Sequence, residues 1–64
     1  MWIKYKDLRI NLDNIIEYFK LNNRVYFKFL ETNDNINIDF KNSEEVDIFI
    51  EYLDNIIKVK EIKI

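Results

Sequence analysis

The chain has 64 residues and a formal net charge of −2, and it contains no Cys, His, Gly or Pro. Disulfides, thiolate or imidazole metal ligands and glycine-rich phosphate loops are therefore excluded, and we expect neither a metal nor a cofactor. A domain this small buries only ~60% of its unfolded surface. Self-association is then the remaining means of adding stability, and we predict a homodimer.

The chain begins with Met1 without a signal-peptide pattern, and no apolar run approaches the ~20 residues of a membrane span. We therefore expect a complete, soluble, cytoplasmic protein with a single domain over residues 1–64. Its charge is bipolar. Residues 1–9 carry three cations and one acid, whereas residues 31–54 carry eight acids and one lysine. Such an acidic segment is either a solvated helix face or a site for a basic partner.

The first ten residues alternate as a β-hairpin does, with Lys6-Asp7 as a two-residue turn. The apolar face would hold Ile3, Tyr5, Leu8 and Ile10, and the other face would hold Trp2, Lys4, Arg9 and Asn11.

A second hairpin is predicted for residues 15–21 and 24–31, which flank Asn22-Asn23. A primed two-residue turn needs a positive φ, which Asn tolerates best among residues other than Gly. This turn pairs Leu21 with Arg24, Tyr18 with Phe27, Glu17 with Lys28 and Ile16 with Phe29. One face would then hold Ile16, Tyr18, Val25, Phe27 and Phe29.

A third strand, 36–40, is predicted to follow a turn across Thr32–Asn35. It would pair Phe29 with Ile38 and Phe27 with Phe40. Asp39 would then lie beside Lys28, which already faces Glu17. Apolar residues meet apolar ones in this register, and a one-residue slip would invert both faces.

The remaining residues predict a helix followed by a short C-terminal strand. Asn42 and Glu45 match a capping box, and an apolar stripe follows at helical spacing. The stripe consists of Val46, Phe49, Ile50, Leu53 and Ile57. Residues 57–64 alternate, and we favour a final edge strand after a break at Asp54-Asn55 over continuation of the helix. The predicted fold is α+β: a small antiparallel sheet of about five strands in hairpins, with one C-terminal amphipathic helix on one face.

The pentapeptide LDNII occurs twice, at 12–16 and 53–57, and DNI recurs at 34–36. Because the chain has no Gly, we expect Asn and Asp to occupy the left-handed turn positions. In each LDNII, Leu would end one element, Asp-Asn would turn, and Ile-Ile would start the next. We therefore interpret the repeat as a folding device and not as a binding motif.

Catalysis is not expected from these residues. One Ser and one Thr have no His or Cys to activate them. The acidic residues do not match a calcium loop, which also requires Gly. Glu17 and Asp39 would flank Lys28 on an exposed face, where ion pairing is a simpler role than acid–base chemistry.

Three surfaces remain as candidate binding sites. The first is the sheet face away from the helix. There Phe19 would oppose Tyr26, and Ile15 would oppose Leu30. An uncovered apolar cluster marks an interface, unless the sheet curls and the N-terminal hairpin covers it.

The second and third surfaces are charged. On the outer side of the helix, an apolar pair with an acidic rim would suit a basic partner. This surface consists of Ile48, Tyr52, Glu44, Asp47 and Glu51. The third surface, Trp2, Lys4, Lys6 and Arg9, could hold a nucleotide or a small anion by charge and stacking. Three cations fall short of a nucleic-acid footprint, so direct nucleic-acid binding is not expected.

These features predict a non-enzymatic protein–protein interaction module that occludes a larger partner. Small size, an acidic helix, AT-rich coding composition and the lack of catalytic residues resemble, in general character, small inhibitors carried by phages and mobile elements, such as anti-CRISPR and other anti-defence proteins. Two alternatives stay open. One is an oligomeric ligand-binding module that sequesters a nucleotide or small anion, and the other is a structural or assembly subunit.

Overall fold

Five strands and one helix make up the fold, which is α+β as the sequence predicts. The structure is a computed structural model that describes residues 1–32 and 35–64. The elements in chain order are β1 (Trp2–Tyr5), β2 (Leu8–Asn11), a 3₁₀ helix (Leu12–Asn14), β3 (Ile15–Leu21), β4 (Arg24–Phe29), β5 (Asn35–Asp39) and α1 (Ser43–Ile57). The strands form two antiparallel sheets, β1-β2 and β3-β4-β5, where the sequence predicts one.

The N-terminal hairpin has the predicted register, in which Ile3 pairs with Ile10 and Tyr5 pairs with Leu8. Its apolar face joins one core with the central strand β4 and the helix. The buried members of this core are Ile3, Ile10, Val25, Phe27, Ile38, Val46 and Leu53. The hairpin therefore packs on the core side and does not cover the opposite face of the three-stranded sheet. The alternative in which it covers that face is wrong.

The β3-β4 hairpin keeps most of its predicted register, including Tyr18 with Phe27 and Leu21 with Arg24. The predicted pairing of Ile16 with Phe29 is wrong. A bulge lies between Ile15 and Glu17, so Ile15 pairs with Phe29 and packs against the core, while Ile16 is exposed. The extra residue of a bulge turns its neighbour to the other face. The predicted place of Ile15 on the open face is therefore also wrong.

Strand β5 has the predicted faces but not the predicted partners. Phe27 pairs with Ile36 and Val25 pairs with Ile38, a shift of four residues from the predicted pairing. An even shift leaves every side chain on its own face. Asp39 consequently lies opposite Arg24 and not beside Lys28. The predicted turn across Thr32–Asn35 includes Asn33 and Asp34, which lie outside the described residues.

The helix begins as predicted. The side-chain oxygen of Asn42 accepts a hydrogen bond from the Glu45 backbone N–H at 2.9 Å. The Glu45 carboxylate in turn accepts from the Lys41 backbone N–H at 3.0 Å. The predicted capping box is confirmed, with Glu45 reaching back to the residue before the cap.

The end of the helix differs from the prediction. Helix α1 runs through Asp54 and Asn55 to Ile57, so the predicted break is wrong. Ile56 packs against the core and extends the apolar stripe, whereas Ile57 is 40% exposed. Residues 59–64 form neither a strand nor a helix, so the favoured final strand is wrong as well.

The two copies of LDNII therefore have different structures. The first lies in the 3₁₀ helix and the start of β3, so it forms the predicted turn between two strands, which belong to different sheets. Its amide groups are satisfied locally, because the Asn11 side chain accepts from the Asp13 N–H at 3.1 Å. The second copy lies within helix α1, so the prediction that it forms a turn is wrong.

The prediction that Asn and Asp occupy the left-handed positions is correct at one position. Among residues 1–32 and 35–64, positive φ occurs at Lys6 (54°), Asn22 (57°) and Lys58 (63°). Lys6 and Asn22 are each the first residue of a two-residue hairpin turn. Lys58 ends the helix, with its N–H donating to the Asp54 carbonyl.

Candidate partner-binding surfaces

The open sheet face is the outer face of the three-stranded sheet, away from the core. Phe19 and Tyr26 lie opposite each other at its centre, as the sequence predicts. Their rings are stacked, with centroids 5.1 Å apart and planes at 13°. Phe19 remains 45% exposed. Stacking therefore gives this face a rigid apolar centre that the chain itself leaves uncovered.

Polar residues surround this stacked pair. Arg24 forms an ion pair with Asp39 across the strands, and its guanidinium lies 5.8 Å from the centre of the Tyr26 ring. The hydrogen bond to Asp39 raises the pKa of Arg24, so the guanidinium stays charged. Glu17 and Lys28 oppose each other on the same face. Among the described residues of the open sheet face, two acids thus balance two cations.

The two other predicted residues of this face have different surroundings. Leu30 follows the end of β4 and is 65% exposed. Ile15 packs against the core. Leu21, which the sequence did not single out, takes the place beside Phe19 because it lies two residues further along β3 and shares its face.

A groove separates the N-terminal hairpin from the helix, and we call it the hairpin–helix groove. It has a volume of about 440 Å³. Three rings form its floor: Tyr5 lies 5.2 Å from Phe40 and 5.6 Å from Phe49 between ring centroids. Ile48 and Tyr52 line the helix side and are both exposed. The predicted apolar pair on the helix is therefore the wall of a larger aromatic groove.

The predicted acidic residues of the helix have different surroundings. Asp47 forms an ion pair with Lys20 of β3, on the side of the helix away from the groove. Glu44 and Glu51 are exposed, and neither forms an ion pair within the described part of the chain. Glu45, which caps the helix, also lines the groove.

The predicted cationic surface forms as expected from the hairpin register. Lys4 lies opposite Arg9, and the exposed Trp2 is two residues from Lys4 on the same face. Lys6 lies in the turn with its amine 5.5 Å from the centre of the Tyr5 ring. Lys4 also lines the hairpin–helix groove. The structure thus brings part of the cationic surface next to Ile48 and Tyr52, which the sequence treats as separate. The role of these cations in anion binding stays a prediction.

A further cleft, of about 380 Å³, lies on the other side of the helix. It was not predicted from the sequence. The Tyr18 hydroxyl donates a hydrogen bond to Asp54 there, at 2.7 Å. Burial, this hydrogen bond and the charge of Asp54 raise the pKa of Tyr18. Ile16 and Val59 also line the cleft. The sequence carried a weak signal for it, since Tyr18 was placed on the core face and Asp54 at a break.

Within the described residues, no group of three acidic side chains is placed to hold a metal ion. None of the helices in that part of the chain has the length and apolar character to cross a bilayer. No protein-family model matches the chain, and no curated protein or solved structure matches it either.

Proposed function

We propose that the protein is a non-enzymatic protein–protein interaction module that inhibits a larger partner by occlusion. It acts as a homodimer in the cytoplasm, in the manner of small inhibitors carried by phages and mobile elements. The observation that carries the proposal is the stacked pair of Phe19 and Tyr26 on the open sheet face. Exposed apolar clusters with a polar rim are typical of protein interfaces.

The rigidity of this pair supports its role as an anchor. Aromatic residues contribute large contact areas with few rotatable bonds, so little entropy is lost when they are fixed on binding. The Tyr26 ring stacks on Phe19 and also lies near the Arg24 guanidinium. The partner surface that fits is therefore an apolar depression with mixed polar groups around it.

The residue types of the chain also support a function without catalysis. Ser43 is the first residue of α1, and the chain has neither a His nor a Cys that could activate it. Acylation by Ser requires an adjacent base. Occlusion requires only a rigid surface, and a chain of 64 residues supplies one.

The proposal is tested by partner capture with two matched variants. Phe19→Lys places a charge at the centre of the open sheet face, and Ile62→Lys places the same charge on the exposed C-terminal segment, outside both the sheet face and the groove. We expect the wild type and Ile62→Lys to retain the same protein and to inhibit its purified activity, and Phe19→Lys to lose both. Both variants should first be shown to fold by circular dichroism. Equal capture and inhibition by Phe19→Lys would contradict the proposal.

A further inference from the structure

The walls of the hairpin–helix groove carry opposite charges. On the helix side, Glu44, Glu45 and Glu51 surround Ile48 and Tyr52 at positions three or four residues apart, which is the spacing of neighbours on a helix. On the hairpin side, Lys4 lines the groove and Arg9 lies directly opposite Lys4. Each wall therefore offers apolar surface together with one sign of charge.

Four of these charges have no ion-pair partner. In the part of the chain that the structure describes, no ion pair includes Lys4, Arg9, Glu44 or Glu51. Glu17 and Lys28 of the open sheet face also lack an ion pair, but they lie directly opposite each other within one sheet. Beside the groove, each sign of charge lies on a wall of its own and is available to a partner.

A surface with one acidic and one basic wall is complementary to itself. In a two-fold dimer the same patch is used by both subunits, so that residue i contacts residue j and residue j contacts residue i. Two grooves can face each other across a two-fold axis that runs along the groove. The acidic wall of each copy then contacts the basic wall of the other copy. Ile48 and Tyr52 of one copy then enter the groove of the other copy.

We infer that the hairpin–helix groove is the homodimer interface, and that its occupant is the helix wall of a second copy of this chain. The inference rests on the homodimer of the proposed function and assigns its interface. It leaves the open sheet face of both subunits free for the inhibited partner. The groove and the open sheet face then have separate roles.

The size of the groove bears on the strength of this dimer. Among the described residues, seven line the groove, whereas a standard stable interface takes about 20–30 residues and ~800 Å² from each partner. We therefore expect a weak dimer that associates more strongly at low salt, because exposed charges are screened by salt.

Charge reversal provides a test that needs no knowledge of the inhibited partner. The variant Glu44→Lys/Glu51→Lys has two basic walls, and the variant Lys4→Glu/Arg9→Glu has two acidic walls. We expect each variant alone to dimerise at least tenfold more weakly than the wild type in analytical ultracentrifugation. An equimolar mixture should form a heterodimer, since both of its contacts are again complementary. Circular dichroism of each variant confirms that it folds.

Other outcomes separate the possible failures. If both variants dimerise as the wild type does, or if their mixture stays monomeric, the groove interface is wrong. If instead Phe19→Lys dissociates the dimer, the homodimer stands but its interface is the open sheet face. A wild-type chain that is monomeric at millimolar concentration overturns both the homodimer and the interface, whereas partner capture through Phe19 would be unaffected.

Discussion

Asn55 lies in the second LDNII, and its substitution tests the structural assignment of that repeat. It is an exposed residue within helix α1, two residues before the helix ends. On the helix-propensity scale, Asn is ~0.6 kcal/mol and Gly is ~1 kcal/mol less favourable than Ala. Asn55→Ala should therefore stabilise the fold by ~0.6 kcal/mol, and Asn55→Gly should destabilise it by ~0.4 kcal/mol.

The difference between the two variants is large enough to measure. Unfolding entropy is ~2.1 cal/mol/K per residue, which gives ~0.13 kcal/mol/K for this chain of 64 residues. A gap of ~1 kcal/mol between Asn55→Ala and Asn55→Gly then corresponds to ~7–8 °C in Tm. Thermal unfolding followed by circular dichroism resolves this gap.

Asn22 supplies the matched control, because its φ is 57° and it lies in a turn. A left-handed conformation costs a residue with a Cβ ~1–2 kcal/mol, and Gly avoids this cost. At Asn22 the Gly variant should therefore be more stable than the Ala variant, which is the reverse of the order at Asn55. If Gly is also the more stable variant at Asn55, that residue lies in a turn and the helix assignment is refuted.

Three further substitutions test the local interactions. Lys58→Gly should stabilise the fold by ~0.5–1 kcal/mol in urea unfolding, since it relieves a left-handed residue at the helix end; a loss of stability would contradict the cap geometry. Asn42→Ala should cost ~1 kcal/mol through loss of the helix cap, with an unchanged denaturant slope; a cost below 0.3 kcal/mol, roughly the noise of such series, would argue against the cap. Tyr18→Phe should cost ~1 kcal/mol through loss of the hydrogen bond to Asp54. Because the pKa of Tyr18 is raised in the folded state, protonated Tyr18 contributes stability that is fully present below pH ~10. This contribution is lost as pH rises above that value. The Tyr18→Phe variant should therefore lose less stability than the wild type between pH 9 and 11, roughly the titration range of free Tyr. Equal pH dependence of the two proteins would contradict the role of Tyr18.

The elements with strong local signals were predictable from the sequence. The Asn22-Asn23 turn and the helix cap rest on the chemistry of adjacent residues, and the Lys6-Asp7 turn follows from the alternation on either side of it. The structure confirms all three. Strand alternation also predicted which face each side chain of β5 would occupy. It could not predict the partners of β5, because shifts of two or four residues preserve the faces and leave the pattern unchanged.

The wrong predictions share a different physical cause. Asp54 and Asn55 are turn formers by propensity, yet the packing of Leu53 and Ile56 against the core keeps this segment helical. Tertiary packing overrides such weak local preferences. Similarly, Lys6 adopts a left-handed conformation because the hairpin register requires it at that position, although Lys has no special tolerance for it.

The candidate site was only partly predictable for the same reason. Phe19 and Tyr26 follow from the register of one hairpin and were found. The hairpin–helix groove joins residues from β1, the segment after β5 and α1. Its formation depends on how the hairpin packs on the helix, and periodicity within single elements carries no information on that contact.

We propose that the hairpin–helix groove joins two copies of the chain and that the open sheet face stays free. A concentration series of amide and side-chain NMR spectra of the isolated wild-type protein distinguishes these two surfaces. Signals of Lys4, Ile48 and Tyr52 should shift as the concentration rises, while those of Phe19 and Tyr26 stay constant. Concentration-dependent shifts at Phe19 and Tyr26, with constant signals in the groove, would refute this assignment.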